Sequence, residues 1–207
     1  MLYSADPGNK MIYIVRHGQT TGNKAKVLQG RGSNQPLNEA GIRQAEAVRD
    51  WFLKQQIHID RVYTSPLLRA MQTAEIISEG MTAVTDERLL EMDYGPYEGM
   101  DLLNPAEDVK TFFSDFVNNP APAGMEPLSA VIDRMGSFLQ MIRPEAVRAN
   151  ILIATHAIAM KGALEFLTPQ SRGGYWSKYI SNCAMYAFSV KNGMFTVPAE
   201  VELGPGT

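Results

Sequence analysis

The stretch IYIVRHGQTTGN, residues 12–23, joins a short apolar run to a cation and an ionisable ring. Residues 12–15 are continuously apolar and rich in β-branched side chains, which predicts a buried strand. Arg16 and His17 follow directly, and Gly18 permits a sharp turn because it has no Cβ. In open α/β sheets, ligands bind just beyond the carboxyl ends of strands. The stretch therefore predicts a binding site for an anion.

Length and composition are typical of a globular protein. The 207 residues, of which 45% are hydrophobic and 20% charged, suffice for one substantial core, and we expect a single domain over residues 1–207. The net charge of −3 argues against a broad surface for nucleic acid or for an anionic membrane. Any anion site must therefore be a local cluster of positive charge.

Cysteine usage and the lack of targeting patterns predict a location. Cys183 is the only cysteine, which excludes an internal disulfide and fits a reducing compartment. We find no signal-peptide pattern, and no apolar run approaches the roughly 20 residues of a membrane span. The expected location is the cytoplasm.

Two amphipathic helices are predicted in the first half of the chain. Asn38 is the predicted N-cap of the first helix, and Ser65 is that of the second, with Pro66 at its first position and Gly80 at its exit. Apolar residues at helical spacing form a buried face on each helix: Ile42, Ala45, Val48, Trp51 and Phe52 on the first, and Leu67, Met71, Ala74 and Ile77 on the second.

Short strand-like segments alternate with helical segments. Further strands are predicted at residues 61–65, 82–91 and 151–155, and the last two, at 183–190 and 194–202, are separated by the turn Lys191-Asn192-Gly193. The alternation predicts an α/β fold with a largely parallel sheet covered by helices on both faces.

Charged and ionisable residues stand where these strands end. Arg16 and His17 follow the first strand, Arg69 lies in the first turn of the helix after the second, Glu91 ends the third, and His156 follows residues 151–155. In a parallel sheet these residues meet at one edge. Two arginines and two histidines beside helix N-termini would bind a phosphate dianion strongly.

The same residues could also perform chemistry on phosphate. A neutral imidazole is a nucleophile, a carboxylic acid can protonate a leaving oxygen, and a second imidazole can stabilise the transferring oxygens. The sequence offers no HExxH or CxxC spacing and no Gly-rich phosphate loop, and we predict neither a metal nor another cofactor.

Four motifs together resemble the histidine phosphatase superfamily, in its phosphoglycerate-mutase-like branch. They are RHGQTTGN at 16–23, SPLLRAMQTA at 65–74, LLEMDYGPYEG at 89–99 and ATHAIAMKGAL at 154–164, and they stand in the order of the family. The resemblance extends over about residues 11–190. It implies a three-layer α/β/α sandwich with a mainly parallel sheet, in agreement with the alternation of strands and helices.

The resemblance also assigns roles to residues of this sequence. It implies that His17 is phosphorylated, that Arg16, Arg69 and His156 bind the phosphoryl group, and that Glu91 donates the proton. Thr20 and Asn23 match polar positions of the first motif, and both are expected at the phosphate-binding site, with Asn23 in contact with phosphate. Asp93 and Glu98 are alternative candidates for the acid.

The sequence departs from the family pattern in two places. After His156, where the family has Gly-Gly and then an arginine, stand Ala157, Ile158 and Lys161, which we expect to alter the pocket wall. Residues 101–128, here called the lid segment, are expected to cover the substrate. Their only basic residue is Lys110.

These observations predict a metal-independent phosphomonoesterase that acts on small phosphorylated metabolites through a phosphohistidine. A mutase that moves phosphate within a sugar acid is an alternative, but the basic insertion of such mutases is missing from the acidic lid segment. Two further alternatives are a catalytically silent phosphate-binding regulatory module and a phosphatase of phosphoproteins. The expected partner is a small phosphorylated metabolite, with no nucleic acid and no membrane, and a homodimer is possible.

Overall fold

A six-stranded sheet forms the centre of the fold, in a computed structural model that describes residues 10–203. The predicted lead-in at residues 1–9 lies outside this range. The strand order is β3-β2-β4-β1-β5-β8, and a separate hairpin pairs β6 with β7. The strands are β1 Ile12–Arg16, β2 Arg61–Thr64, β3 Val84–Thr85, β4 Ile151–Thr155, β5 Met185–Phe188, β6 Val190–Lys191, β7 Met194–Phe195 and β8 Ala199–Glu200.

The sheet is parallel through its first four strands and antiparallel at one end. β1 pairs with β4, β4 with β2 and β2 with β3 in parallel, whereas β5 and β8 run antiparallel to their neighbours. The α-helices are α1 Thr21–Lys24, α2 Glu39–Lys54, α3 Leu68–Ile77, α4 Glu107–Ser114, α5 Leu128–Ala146 and α6 Ala157–Leu167. This mixed α/β architecture confirms the predicted fold class.

Helices cover both faces of the sheet because alternate residues of each central strand point to opposite sides. Ile12 and Ile14 of β1 pack into a core formed largely by α4, α5 and α6, while Tyr13 and Val15 pack into a second core with α2 and α3. The result is the expected three-layer sandwich. No helix among residues 10–203 is both long and apolar enough to cross a membrane.

The predicted helices exist, but their buried faces are partly different. On α2, Ile42 is 41% exposed and Gly41 is buried in its place, because the backbone of Gln19 lies directly against Gly41. On α3, Met71 is 39% exposed. The buried face of α3 consists of Arg69, Ala70, Thr73, Ala74 and Ile77.

The predicted start of the second helix and the predicted third strand were also wrong in detail. α3 begins at Leu68 with no side-chain cap, so Ser65 is not its N-cap. Of residues 82–91, only Val84 and Thr85 form a strand, and a 3₁₀ helix at Glu87–Leu89 follows. The chain turns there because Asp86 accepts a hydrogen bond from the backbone amide of Arg88, which caps the 3₁₀ helix.

The end of the chain forms shorter strands than expected. Residues 194–202 divide into β7, which pairs with β6, and β8, which extends the sheet beside β5. The predicted turn between the two segments is present, and Asn192 and Gly193 both have positive φ. Such a pair of left-handed residues is typical of a two-residue hairpin turn.

Candidate active site

β1 and β4 bring the two predicted histidines together. They are parallel neighbours, and Arg16 pairs in register with Thr155, so His17 and His156 leave the sheet side by side. The backbone amide of His17 donates to the carbonyl of Thr155 at 2.9 Å, and the centres of the two imidazole rings are 5.1 Å apart. The site therefore begins at the carboxyl edge of the sheet.

Gly18 holds the turn after His17 close to the N-terminus of α2. A Cβ at this position would overlap the carbonyl oxygen of Gly41. The amide of Gly18 also donates to Thr73 Oγ1 of α3 at 3.0 Å. The sequence has glycine at both contact positions because the two backbones touch.

The ring of His17 has a defined tautomer. Its Nδ1 lies 2.7 Å from the carbonyl oxygen of Gly18, which can only accept, so Nδ1 carries the proton and donates. Nε2 then keeps its lone pair. Burial, reinforced by the charges of Arg16 and Arg69, holds the pKa of His17 well below its usual value. His17 is thus an uncharged imidazole whose Nε2 has a free lone pair.

His156 occupies the N-cap position of α6, and its ring is fully buried. Nε2 lies 2.8 Å from Ser65 Oγ, while Nδ1 has no hydrogen-bond partner among residues 10–203. Burial, followed by the charge of Arg69, holds the pKa of His156 well below its usual value. Ser65, predicted as a helix cap, instead orients this ring.

Arg16 and Arg69 are held by backbone carbonyls. Arg16 donates to the carbonyl of Ile180 at 2.5 Å, and Arg69 donates to the carbonyls of Gly30, at 2.9 Å, and of Ser33. Burial lowers the pKa of Arg69 to about 10, so the guanidinium stays charged at neutral pH.

Several buried polar atoms of this site have no partner in the protein. Among residues 10–203, four buried side-chain nitrogens and oxygens lack a hydrogen bond, and three of them are Arg16 Nε, Arg69 Nε and His156 Nδ1. Buried polar groups are nearly always satisfied, and unsatisfied ones tend to have a functional reason. Three unpartnered nitrogens in one site, two of them N–H donors of charged guanidinium groups, indicate a ligand that supplies oxygen atoms.

Glu91 is buried against the N-terminus of α6. Its Oε1 accepts hydrogen bonds from the amides of Met92, Ile158 and Ala159 at 2.9, 3.1 and 3.0 Å, and Oε2 lies 3.2 Å from the Ile158 amide. Glu91 was predicted to end a strand and instead follows the 3₁₀ helix at Glu87–Leu89, but its side chain still reaches the site. Its charge acts on both Arg16 and Arg69.

The two alternative acids are occupied elsewhere. Asp93 accepts from the amide of Gly95 at 2.8 Å and lies 3.9 Å from the guanidinium of Arg31. Glu98 accepts from the amides of Gly30 and Gly32 and from Ser33 Oγ, at 2.9, 3.1 and 2.9 Å. Of the three carboxylates, Glu91 is the one bound at the start of the helix that His156 caps.

Thr20 and Asn23 form a capping box around the first turn of α1. Thr20 Oγ1 accepts from the Asn23 amide at 3.0 Å, and Asn23 Oδ1 accepts from the Thr20 amide at 3.1 Å. Asn182, which the sequence did not suggest, donates from Nδ2 to Asn23 Oδ1 and to the carbonyl of His17. Since Asn23 Oδ1 takes two donors, Asn23 Nδ2 points away from them.

Two further residues interact with the site: Tyr94, to which the sequence assigned no role, and Lys161, which was expected to alter the pocket wall. Tyr94 is buried, its hydroxyl forms no hydrogen bond within the described range, and burial together with the charges of Glu91 and Glu98 raises its pKa well above the usual value. Lys161 is 8% exposed and interacts electrostatically with Glu91 and Arg16. The signals in the sequence were the position of Tyr94 inside the motif at 89–99 and the departure of Lys161 from the family pattern.

The chemistry of the site suits a phosphoryl group. Two guanidinium groups and the start of a helix attract a dianion, an uncharged imidazole presents a lone pair, and a buried carboxyl group lies beside them. Within the part of the chain that the structure describes, no group of three or more His, Cys, Asp or Glu side chains could hold a metal ion.

Comparison with known proteins points to one protein family. The sequence profile of the histidine phosphatase superfamily (branch 1) matches residues 12–200. Phosphoglycerate mutase-like protein 4 of Arabidopsis thaliana is 32% identical over 177 residues, which is 82% of this chain and 76% of the relative. Fructose-2,6-bisphosphatase TIGAR of Xenopus tropicalis is 36% identical over 140 residues, 63% of this chain and 49% of the relative.

Solved structures share the fold. The phosphoserine phosphatase of Entamoeba histolytica, in complex with 3-phosphoglyceric acid, superposes with a TM-score of 0.76 at 23% identity. The superposition covers 93% of this chain and 95% of that protein. At this identity the likeness supports the three-layer architecture.

Proposed function

The chain belongs to branch 1 of the histidine phosphatase superfamily, and we propose that it hydrolyses small phosphomonoesters through a phosphohistidine at His17. The observation that carries this proposal is the state of His17. Its Nδ1 donates to Gly18 while Nε2 keeps a lone pair beside two arginines. An uncharged imidazole next to guanidinium groups is suited to attack a phosphorus atom whose oxygens those groups bind.

The first half-reaction transfers the phosphoryl group to His17. Nε2 forms a bond to phosphorus as the bond from phosphorus to the ester oxygen breaks, and Glu91 gives its proton to that oxygen, so an alcohol leaves. Glu91 Oε2, which has one amide contact at 3.2 Å against three for Oε1, is the oxygen better placed to carry the proton.

The second half-reaction returns the enzyme to its starting state. Glu91, now ionised, takes a proton from a water molecule, whose oxygen attacks phosphorus and displaces Nε2, which releases inorganic phosphate. Arg16, Arg69 and His156 stabilise the equatorial oxygens in both halves. For His156, donation from Ser65 to Nε2 would leave the proton on Nδ1, where it can bind a phosphate oxygen.

Asn23 and Thr20 have different parts in this proposal. The Thr20 amide and Asn182 both donate to Asn23 Oδ1, so Asn23 Nδ2 points away from them. In this proposal Asn23 Nδ2 donates to phosphate, as the motif position of Asn23 predicts. Thr20 is fully buried and hydrogen-bonded to Gln29 as well as to Asn23, so it acts by holding the turn that carries Asn23.

A mutase is the second candidate, because several relatives are named as phosphoglycerate mutases or as mutase-like, one of them, from Yersinia pestis, at 44% identity over 155 residues. The lid segment favours hydrolysis. Lys110, its only basic residue, is exposed and paired with Glu107 at 3.6 Å. Bound phosphate would therefore find no second cluster of cations in the lid segment. A cytoplasmic location and a homodimer remain predictions from the sequence.

The test is phosphate release from a panel of monoesters, including p-nitrophenyl phosphate, by wild type and by His17→Ala. We expect turnover by wild type in the presence of EDTA, inhibition by vanadate, and a base-stable, acid-labile labelled adduct after rapid quench. His17→Ala should fold and lack turnover. Substantial turnover by folded His17→Ala, or activity that EDTA removes and Mg²⁺ or Zn²⁺ restores, would refute the proposal.

A further inference from the structure

Lys161 is a buried lysine with no acidic partner. Its residue exposure is 8%, and among residues 10–203 no carboxylate lies within ion-pair distance of Nζ. The ammonium donates to the carbonyl of Trp176 at 2.7 Å and lies 5.0 Å from the centre of the Phe116 ring. Buried charges are normally paired, since desolvation of a lone charge is costly. An ammonium buried without a carboxylate beside it is suited to bind an anionic ligand.

The position of Lys161 places it beside the phosphate site. It lies on α6, five residues after His156, and thus about 7.5 Å farther along the helix axis. Its charge interacts with that of Glu91, whose carboxylate binds the first turn of the same helix, and with that of Arg16. The charge of Lys161 therefore acts on the same groups that surround the phosphate site.

The surroundings of the ammonium leave donor capacity for a ligand. A lysine has three N–H donors, and the Trp176 carbonyl uses one. The Phe116 ring makes a cation–π contact with the Lys161 ammonium, and this contact does not replace a hydrogen bond to an oxygen acceptor. Phe116 and Trp176 also lie next to each other, with ring centres 6.3 Å apart. The Phe116 ring beside the ammonium lowers the local polarity, which strengthens an ion pair formed there.

We propose that Lys161 binds a carboxylate of the substrate, so that the preferred substrates are small phosphomonoesters of hydroxy acids or of hydroxyl-bearing amino acids. One ammonium balances the charge of one carboxylate, whereas a second phosphate dianion would need a further cation. Lys110 does not provide that cation, because it is exposed and paired with Glu107. This inference rests on the proposed function and adds a substrate class to it.

The test compares two substrates that differ only in the anion. 3-Phosphoglycerate has a carboxylate where glycerol 3-phosphate has an uncharged hydroxymethyl group. Lys161→Met keeps most of the side-chain stem and removes the charge. We expect kcat/KM for 3-phosphoglycerate to fall about tenfold to a hundredfold, the range for losing a hydrogen bond to a charged group, with glycerol 3-phosphate changed less than about twofold.

Controls separate substrate binding from a structural role. Lys161→Arg should recover part of the preference, and Lys110→Met should leave both substrates unchanged. Equal losses for both substrates in Lys161→Met, or a wild type that does not prefer 3-phosphoglycerate, would overturn the inference. If Lys161→Met does not fold, Lys161→Gln gives the same comparison. His17-dependent hydrolysis of p-nitrophenyl phosphate reports separately on the proposed function, which stands whichever way the Lys161 comparison falls.

Discussion

Glu98 and Arg69 bind the same short loop. Glu98 accepts hydrogen bonds from the amides of Gly30 and Gly32, and Arg69 donates to the carbonyls of Gly30 and Ser33. The carboxylate of Glu98 thus holds the backbone of residues 30–33, and the carbonyls of this backbone hold the guanidinium of Arg69. Glu98 has no such contact with the helix N-terminus that binds Glu91. We infer that Glu98 positions Arg69 through this loop.

Glu98→Gln should therefore weaken phosphate binding without changing the chemistry. The side-chain NH₂ group of the glutamine would lie against the backbone N–H groups of Gly30 or Gly32, and two donors cannot form a hydrogen bond. The loop that holds Arg69 would therefore shift. We expect kcat/KM to fall about tenfold for every substrate alike, as for a lost hydrogen bond to a charged group, and vanadate inhibition to weaken in parallel. Glu107→Gln, an exposed change on α4, is the control. Unchanged vanadate affinity in Glu98→Gln would contradict this role.

Glu91→Gln should affect substrates according to their leaving groups. The variant loses the proton that the ester oxygen needs, so an alkyl phosphate should react about 10²–10⁴-fold more slowly, the usual range for a general acid. p-Nitrophenyl phosphate, whose leaving group needs little protonation, should lose much less. Steady-state rates for both substrates provide the measurement.

Asp93→Asn is the matched control for that experiment. Asp93 accepts from the Gly95 amide and lies near Arg31, so its loss should slow both substrates to a similar, small extent. A leaving-group dependence in Asp93→Asn or Glu98→Gln, with none in Glu91→Gln, would transfer the role of acid to that residue.

Stability should fall in mild acid because of the two buried histidines. Burial holds the pKa values of His17 and His156 well below 6.5 in the folded protein, while in the unfolded chain they are near 6.5. Below about pH 6.5 the unfolded chain takes up protons that the folded protein cannot bind. The free energy of unfolding then drops by up to about 1.4 kcal/mol per pH unit for each histidine, until the folded values are reached.

Urea denaturation at pH 7.5 and pH 5.5, without phosphate in the buffer, measures this effect. The drop in wild type should shrink in the double variant His17→Gln/His156→Gln. His58→Gln is the control, because the His58 side chain is 84% exposed and should not alter the drop. An equal drop in wild type and in the double variant would show that other groups cause the acid sensitivity.

The sequence was a good guide where burial or a motif left few choices. Residues 12–15 and 151–155 are continuous apolar runs, so β1 and β4 were predicted, and with them the adjacent histidines. The capping signal at Ser65 was misleading because a tertiary partner, His156, uses the hydroxyl. Asn182 could not be predicted, since its contacts depend on how a non-repetitive loop returns to β1.

Hydrolysis rather than isomerisation is the outcome that the charges around the site favour. A mutase must keep its phosphohistidine intact between two half-reactions, and so must exclude water and hold a molecule that carries two phosphates. That task calls for a second cluster of cations. The lid segment provides Lys110, which is exposed and paired with Glu107, together with four further acidic residues: Asp101, Asp108, Asp115 and Glu126.

Lys161 does not supply the missing cluster, because it is a single ammonium and the Trp176 carbonyl takes one of its donors. A carboxylate can pair with it, whereas a second phosphate dianion would keep an unbalanced charge close to the acidic lid segment. We therefore expect phosphate release from 3-phosphoglycerate to exceed its exchange with 2-phosphoglycerate at least tenfold, even with added 2,3-bisphosphoglycerate. Both rates are measured on one preparation, with His17→Ala as the blank. If isomer exchange outran phosphate release, the enzyme would be a mutase, and Lys110, Lys161 and Arg172 would become candidates for the second phosphate site.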